Sequence, residues 1–342
     1  MSRLSDLPRP PAHAGVLPGA ASYAPATAVE AAAVVNAIPG IAAVECLLAQ
    51  DSPSEPARFF RAVRGAKAEP LFLKLMSESE YAAVAEADDI VRRLRDGAAV
   101  GPCGAFPLAD GSRRVFVSYP YIDARFLEPT PADMRKLGAA IARLHAALRG
   151  IPDAAAVVRR ARERAEGIDA ALGRSDRYRR TLDAAGLPQL APGVAFVVDR
   201  PDAQPLHGDL NAGNILCDRR TGRIHFLDFE DLRHTAGPVL HDLALPVERF
   251  CLLIDDEASA LAAATGLFAG YAEAAGASPI AAPGALAEAL RIVNLRAVGL
   301  LIQQMEAGAA ASAEEWRKFG MLLSRHRERN RVIEAIEAAS LG

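Results

Sequence analysis

Residues 206–231 read LHGDLNAGNILCDRRTGRIHFLDFED. Two apolar runs, Ile215 to Cys217 and Ile224 to Phe229, flank a polar loop containing Gly222. That pattern predicts a β-hairpin. A loop centred on Thr221 sets Asn214 across from Asp228. Directly opposed residues have Cβ atoms about 4.5–5.5 Å apart and share a face. The hairpin therefore predicts an amide and a carboxylate together at its open end. Two hard oxygen ligands suit Mg²⁺, which keeps several waters and takes its remaining ligands from substrate phosphates. Asp209 lies on the loop leading to the same end. A carboxylate there can accept a hydroxyl proton and aim that oxygen at a phosphorus.

Upstream, AVECLLAQ (43–50), RFFRAVRG (58–65) and LFLKLM (71–76) are short β-like runs separated by turn residues, as in an antiparallel meander. GAFPL (104–108) and RRVFVSYPYI (113–122) add two more, joined at Asp110-Gly111. Between them SESEYAAVAEADDIVRRLRDG reads as a helix, with Ser77 or Ser79 as N-cap and Gly97 as stop. After Ile122 helical spacing dominates, with breaks at Gly150, Gly276, Pro283 and Gly308. The chain thus divides into a loose Pro- and Ala-rich arm (1–27), a small α+β lobe (28–120) and a larger, mainly helical lobe (121–342).

Composition narrows the function. The 342 residues carry 39 Lys+Arg and 42 Asp+Glu, a net charge of −3, which argues against nucleic-acid binding by bulk electrostatics. No apolar run approaches the roughly 18–20 residues that span a bilayer, so no membrane partner is expected. The four cysteines (Cys46, Cys103, Cys217, Cys251) are far apart, as expected of separate thiols in a cytoplasmic protein.

The H-G-D-x-x-x-x-N of His207 to Asn214, followed by D-F-E at 228–230, resembles the aminoglycoside phosphotransferase and choline kinase group, which has a two-lobed protein-kinase-like fold. The resemblance implies ATP and Mg²⁺ as cofactors. Asp209 is then the catalytic base, Asn214 and Asp228 are metal ligands, and His207 and Asp242 are structural supports of the catalytic loop. Lys74, by sequence either an exposed edge-strand lysine or a part-buried paired one, becomes the lysine that holds the ATP phosphates. Its implied partner is a helix glutamate, Glu86, with Glu78 and Glu80 as rivals. Tyr121 falls in the inter-lobe linker YPYID, whose backbone would bind the adenine edge, with Phe72 and Leu227 sandwiching the ring. The loop 50–58 departs from the pattern: it has no glycine, so Ser52 and Ser54 stand in as phosphate contacts. Glu230 can face the site and touch the acceptor, or be solvated. His145 reads as a packed histidine.

The expected reaction is transfer of the γ-phosphate of ATP to a hydroxyl of a small molecule. A sugar, an amino alcohol or a related metabolite fits. A polycationic aminoglycoside fits less well, because eight arginines lie between Arg159 and Arg180 against four acids. An acidic group at Glu248, Asp255, Asp256 and Glu257 keeps a mono-amine open. The alternative is a nucleotide-binding pseudokinase or scaffold, suggested by the 50–58 loop. D-F-E in place of D-F-G speaks against a protein kinase.

Overall fold

The structure, a computed structural model, describes residues 22–24, 28–50, 57–65, 69–94, 99–108, 113–176, 179–180, 183, 193–308 and 313–341. β1 (Ser22–Ala24), β2 (Ala43–Gln50), β3 (Ala57–Val63), β4 (Leu71–Ser77), β5 (Gly104–Pro107) and β6 (Arg114–Pro120) form a six-stranded sheet, ordered β1-β2-β3-β4-β6-β5. Every neighbouring pair is antiparallel. β1 falls in the stretch expected as a loose arm. It adds an edge strand, with Ser22 opposite Ala49.

Alternation along the strands gives the sheet two apolar faces. On one, α1 (Ala28–Ala37) packs Val34 and Ile38 against Phe60, Leu73 and Phe116. On the other, α2 (Glu78–Arg93) sets Val84 against Met76, Val115 and Val117. Ser77 is the N-cap of α2: its hydroxyl accepts the Glu80 N–H at 3.2 Å, and the Glu80 carboxylate accepts the Ser77 N–H at 2.7 Å. Phe72 and Lys74 alternate with Leu73 on β4, so they lie on the α2 side of the sheet, facing the second lobe.

The chain crosses to that lobe through Tyr121–Asp123 into β7 (Ala124–Phe126). β7 pairs with β9 (Ile215–Asp218), which pairs with β10 (Ile224–Phe226). β8 (Gln204–Pro205) and β11 (Ala236–Gly237) make a two-stranded ladder behind them. The helices are α3 (Pro131–Arg149), α4 (Ala154–Arg174), α5 (Val194–Val198), α6 (Leu240–Pro246), α7 (Glu257–Ala275), α8 (Ala285–Glu306), α9 (Ala313–Glu328) and α10 (Asn330–Leu341). Among the described residues no helix is long and apolar enough to cross a membrane.

α3 and α7 approach closely because glycines face the contact. A Cβ on Gly138 would lie 1.9 Å from the carbonyl oxygen of Leu267, and one on Gly270 would lie 2.0 Å from that of Arg135. Neither obstacle is a flexible side chain, so the helices would have to separate. α3 also carries His145 toward the site described below, so this contact fixes more than stability. Gly270→Ala should cost at least about 1–3 kcal/mol, read by chemical denaturation. Wild-type stability in that variant would contradict the helix contact.

Candidate active site

The loop before β9 is held from beneath by Asp242, on the first turn of α6. Its carboxylate accepts the backbone N–H of His207 at 2.8 Å and of Gly208 at 2.9 Å. The His145 Nε2–H donates to the same carboxylate at 3.0 Å, while His145 Nδ1 lies 3.1 Å from the Tyr271 hydroxyl. Burial alone would raise the Asp242 pKa, but the His145 hydrogen bond and charge, with the Gly208 N–H, hold it below the usual carboxylate range. Gly208 has φ +85°, and a Cβ there would meet Thr235 Oγ1 at 2.7 Å, so the position admits only glycine without strain.

His207 is fully buried and works through both ring nitrogens. Nε2 donates to the Leu227 carbonyl at 2.9 Å, and Nδ1 accepts the Asp209 N–H at 3.3 Å. Its ring lies 4.5 Å from that of Phe229, so it joins the catalytic loop to the D-F-E segment. Asp209 is then gripped by two amides. Asn211 Nδ2 and Asn214 Nδ2 each donate to its Oδ2 at 2.9 Å, and Asn214 Nδ2 also reaches the Asp209 carbonyl at 2.9 Å. These bonds commit the Asn214 nitrogen and leave its Oδ1 as the free acceptor. Burial pushes the Asp209 pKa up, the Asn211 bond and the His207 ring oppose it, and the charges of Asp231 and Asp228 add to it.

The hairpin forms with a register one residue away from the expected one. Phe226 pairs with Ile215 and the Leu227 N–H donates to the Asn214 carbonyl at 2.9 Å, so Asn214 faces Leu227 rather than Asp228. The turn closes tighter than a loop centred on Thr221, with the Gly222 N–H on the Asp218 carbonyl at 2.9 Å. A one-residue slip normally turns a side chain to the opposite face. Here Asp228 adopts φ +59°, the one non-glycine residue at positive φ among the described residues, and the kink brings its carboxylate back. Asn214 and Asp228 therefore line the same cleft.

The cleft, about 240 Å³, lies between the lobes. Its upper wall is Phe59 and Phe72, stacked at 5.6 Å, with Tyr119 beside them; its lower wall includes Leu216 and Leu227. Tyr121 lines it too, but its backbone N–H donates away, to the Pro70 carbonyl at 3.2 Å. With Pro120 lacking an N–H, neither residue of that pair offers an amide to a base. Ser52 and Ser54 lie outside the described residues.

Lys74 does not meet Glu86. Its Nζ contacts Glu230 Oε1 at 2.9 Å and Asp228 Oδ2 at 3.4 Å. Glu86 is exposed on α2, because the buried face of that helix runs through Val84, Ala87 and Val91. The inward acid of α2 is Asp88, one turn after Val84, which lines a small separate pocket with Asp228 and Glu230 and whose Oδ2 accepts Arg92 Nε at 2.6 Å. Its Oδ1 is buried with no hydrogen-bond partner among the described residues. The spacing from Val84 and Val91 carried that signal.

One ammonium thus faces two carboxylates. Burial alone would lower the Lys74 pKa, but the Asp228 and Glu230 charges outweigh it and the lysine sits above its ordinary value. Burial and the Asp228 charge push Glu230 up to about 7, against Lys74. The surplus negative charge is the kind a divalent cation neutralises. Asn214 Oδ1 and Asp228 are oxygen donors suited to Mg²⁺, and their small number is compatible with an ion that retains waters and phosphate oxygens. Among the described residues no cluster of three or more His, Cys, Asp or Glu forms a self-sufficient metal cage.

A phosphotransferase family profile matches residues 51–277. The chain belongs to the phosphotransferase enzyme family. It is accordingly a small-molecule kinase. The family fold is seen in a choline/ethanolamine kinase family protein from Mesorhizobium loti (18% identity, 85% of this chain and 92% of that one, TM-score 0.52). It is seen also in a choline kinase from Streptococcus pneumoniae (14% identity, 79% and 89%, TM-score 0.50). No curated protein matches by sequence.

Glu230 also makes a pH prediction. Its raised pKa means the folded, metal-free protein keeps a proton that the unfolded chain releases near 4.5. Stability from this group is complete below about 4.5 and is lost as pH rises through about 7. Glu230→Gln should flatten the urea midpoint over that interval and raise it at pH 8. An unchanged slope would remove Glu230 as its source.

Proposed function

We propose that this phosphotransferase moves the γ-phosphate of ATP to a hydroxyl of a small molecule, with Mg²⁺ as cofactor. The observation that carries the reading is Asp209, whose carboxylate is bonded by Asn211 and by Asn214, a residue that lines the cleft with Asp228 and Lys74. The adenine fits the apolar slot between Phe72 and Leu227. Lys74 meets the phosphates, and Asn214 Oδ1 with Asp228 would hold the metal, which when bound neutralises phosphate charge.

Asp209 orients the acceptor hydroxyl and takes its proton as that oxygen bonds to phosphorus. Its raised pKa matches the role, since a base must hold the proton once it has it. Asn211 and Asn214 fix one carboxylate oxygen and leave Oδ1 for the hydroxyl. His207, Asp242 and His145 position the loop and touch no reacting atom. Phosphoryl transfer asks chiefly for such alignment and charge neutralisation.

Asp209→Asn keeps the shape and removes the base. Turnover, followed as ADP release with a pooled panel of sugars and amino alcohols, should fall about 10²–10⁴-fold while nucleotide binding persists. Near-wild-type turnover would remove Asp209 from the role.

A further inference from the structure

Arginines gather behind the loop that carries Asp209. α4 and α8 deliver Arg164 and Arg296 to one carboxylate, that of Asp231. Arg164 Nη1 meets Oδ1 at 2.6 Å and Arg296 Nη2 meets Oδ2 at 2.9 Å. Arg296 reaches the residue beside the base: Nη1 donates to the Gly208 carbonyl at 2.7 Å and Nη2 to Thr235 Oγ1 at 2.9 Å. One turn before Arg164, Arg160 Nε donates to the Arg233 carbonyl at 3.1 Å. Three guanidiniums stand around the Asp231 carboxylate, with the Glu86 charge also felt at the neighbouring His234.

The two arginines on Asp231 differ in what they have left. Arg296 makes three hydrogen bonds and braces the loop. Arg164 makes one among the described residues, from a guanidinium with five N–H donors, and its side chain remains 28% exposed. It is thus partly open to solvent beside Asp231, the carboxylate that Arg296 links to the Gly208 carbonyl next to Asp209 and whose charge is felt by Asp209. His234 lies in the same field: burial, then the Arg164 and Arg160 charges, lower its pKa.

Three of the four acids offered for an amine are engaged elsewhere, and the fourth, Asp255, is exposed and 3.6 Å from Arg325. Glu248 is buried and paired with Arg249 and His326. Asp256 caps α7 through the Ser259 N–H at 2.8 Å, and Glu257 pairs with Arg329 at 3.2 Å. Asp169 of α4 caps α5, accepting the Val194 and Ala195 N–H groups.

We infer that the acceptor carries an anionic group, a carboxylate or a phosphate, which binds the free edge of Arg164 with Arg160 beside it while the hydroxyl faces Asp209. The inference rests on the reading of Asp209 as base. A planar guanidinium binds either oxyanion in two-pronged fashion. An acceptor amine would meet like charge there.

Acceptors matched in carbon skeleton test it: gluconate, sorbitol 6-phosphate, sorbitol and glucamine, with glycerate, glycerol 3-phosphate, glycerol and 3-amino-1,2-propanediol as a shorter set. With ATP and Mg²⁺, an anionic member should exceed its neutral counterpart in kcat/KM by about ten- to a hundredfold, and the amine should be poorest. The carboxylate and phosphate members tell the two oxyanions apart. Arg164→Gln should bring the anionic-to-neutral ratio to about one, chiefly through KM; Arg164→Lys should restore part of it. Preference for the neutral or cationic member overturns the inference. So does an unchanged ratio with all kcat values falling together, which would make Arg164 a brace like Arg296. If no member is phosphorylated, calorimetric titration of the same compounds into protein saturated with AMP-PNP decides, and absence of anion-dependent binding overturns it. Slow hydrolysis of ATP, lost in Asp209→Asn, tests the kinase reading separately.

Discussion

A single buried carboxylate sets the geometry on which the site depends. Asp242 accepts two consecutive backbone N–H groups at the start of the catalytic loop, and His145 donates to it from α3. A buried charge is costly unless its hydrogen-bonding capacity is met. Here it is met largely by the loop, so the carboxylate and the loop conformation stabilise each other. The chain from Asp242 through His207 to Phe229 also joins the loop before β9 to the D-F-E segment, so Asp209 and Asp228 are placed by one network. The glycine contact between α3 and α7 lies behind it, because His145 and Tyr271 meet across those two helices.

The cleft itself carries an imbalance. Lys74 is drawn to Glu230 and Asp228 rather than to α2, and two acids share one ammonium. That arrangement concentrates negative charge where, on the proposed function, phosphates come as well. A divalent cation would resolve the conflict, and Asn214 and Asp228, oxygen donors suited to one, line the same cleft. The helix acid that points inward, Asp88, is tied to Arg92 on its own helix.

Much of this was legible in the sequence because it is local. The strands, the Ser77 cap, and Pro131 and Gly276 at helix ends follow from spacing and turn chemistry over a few residues. The hairpin was legible as a hairpin, but its register was not: four-residue turns close in more than one way, and one hydrogen bond decides. Bringing Asp228 to the site then needed a positive φ that no residue type announces. The Lys74 partners were missed because Asp228 and Glu230 lie far along the chain, while α2 offered several acids nearer in sequence. β1 was illegible because a neighbouring sheet edge recruits it. Asp231 with its two arginines joins segments far apart in the chain, beyond any local pattern.

Gly208 admits no side chain of its own, and the cation beside it comes from α8 instead. The shape of the loop is thereby tied to the seating of a helix buried at the centre of the larger lobe. A substitution that rotates or tilts α8 would be felt at Asp209 without touching any residue of the motif. Repacking of that inner helix thus has a direct mechanical route to the loop.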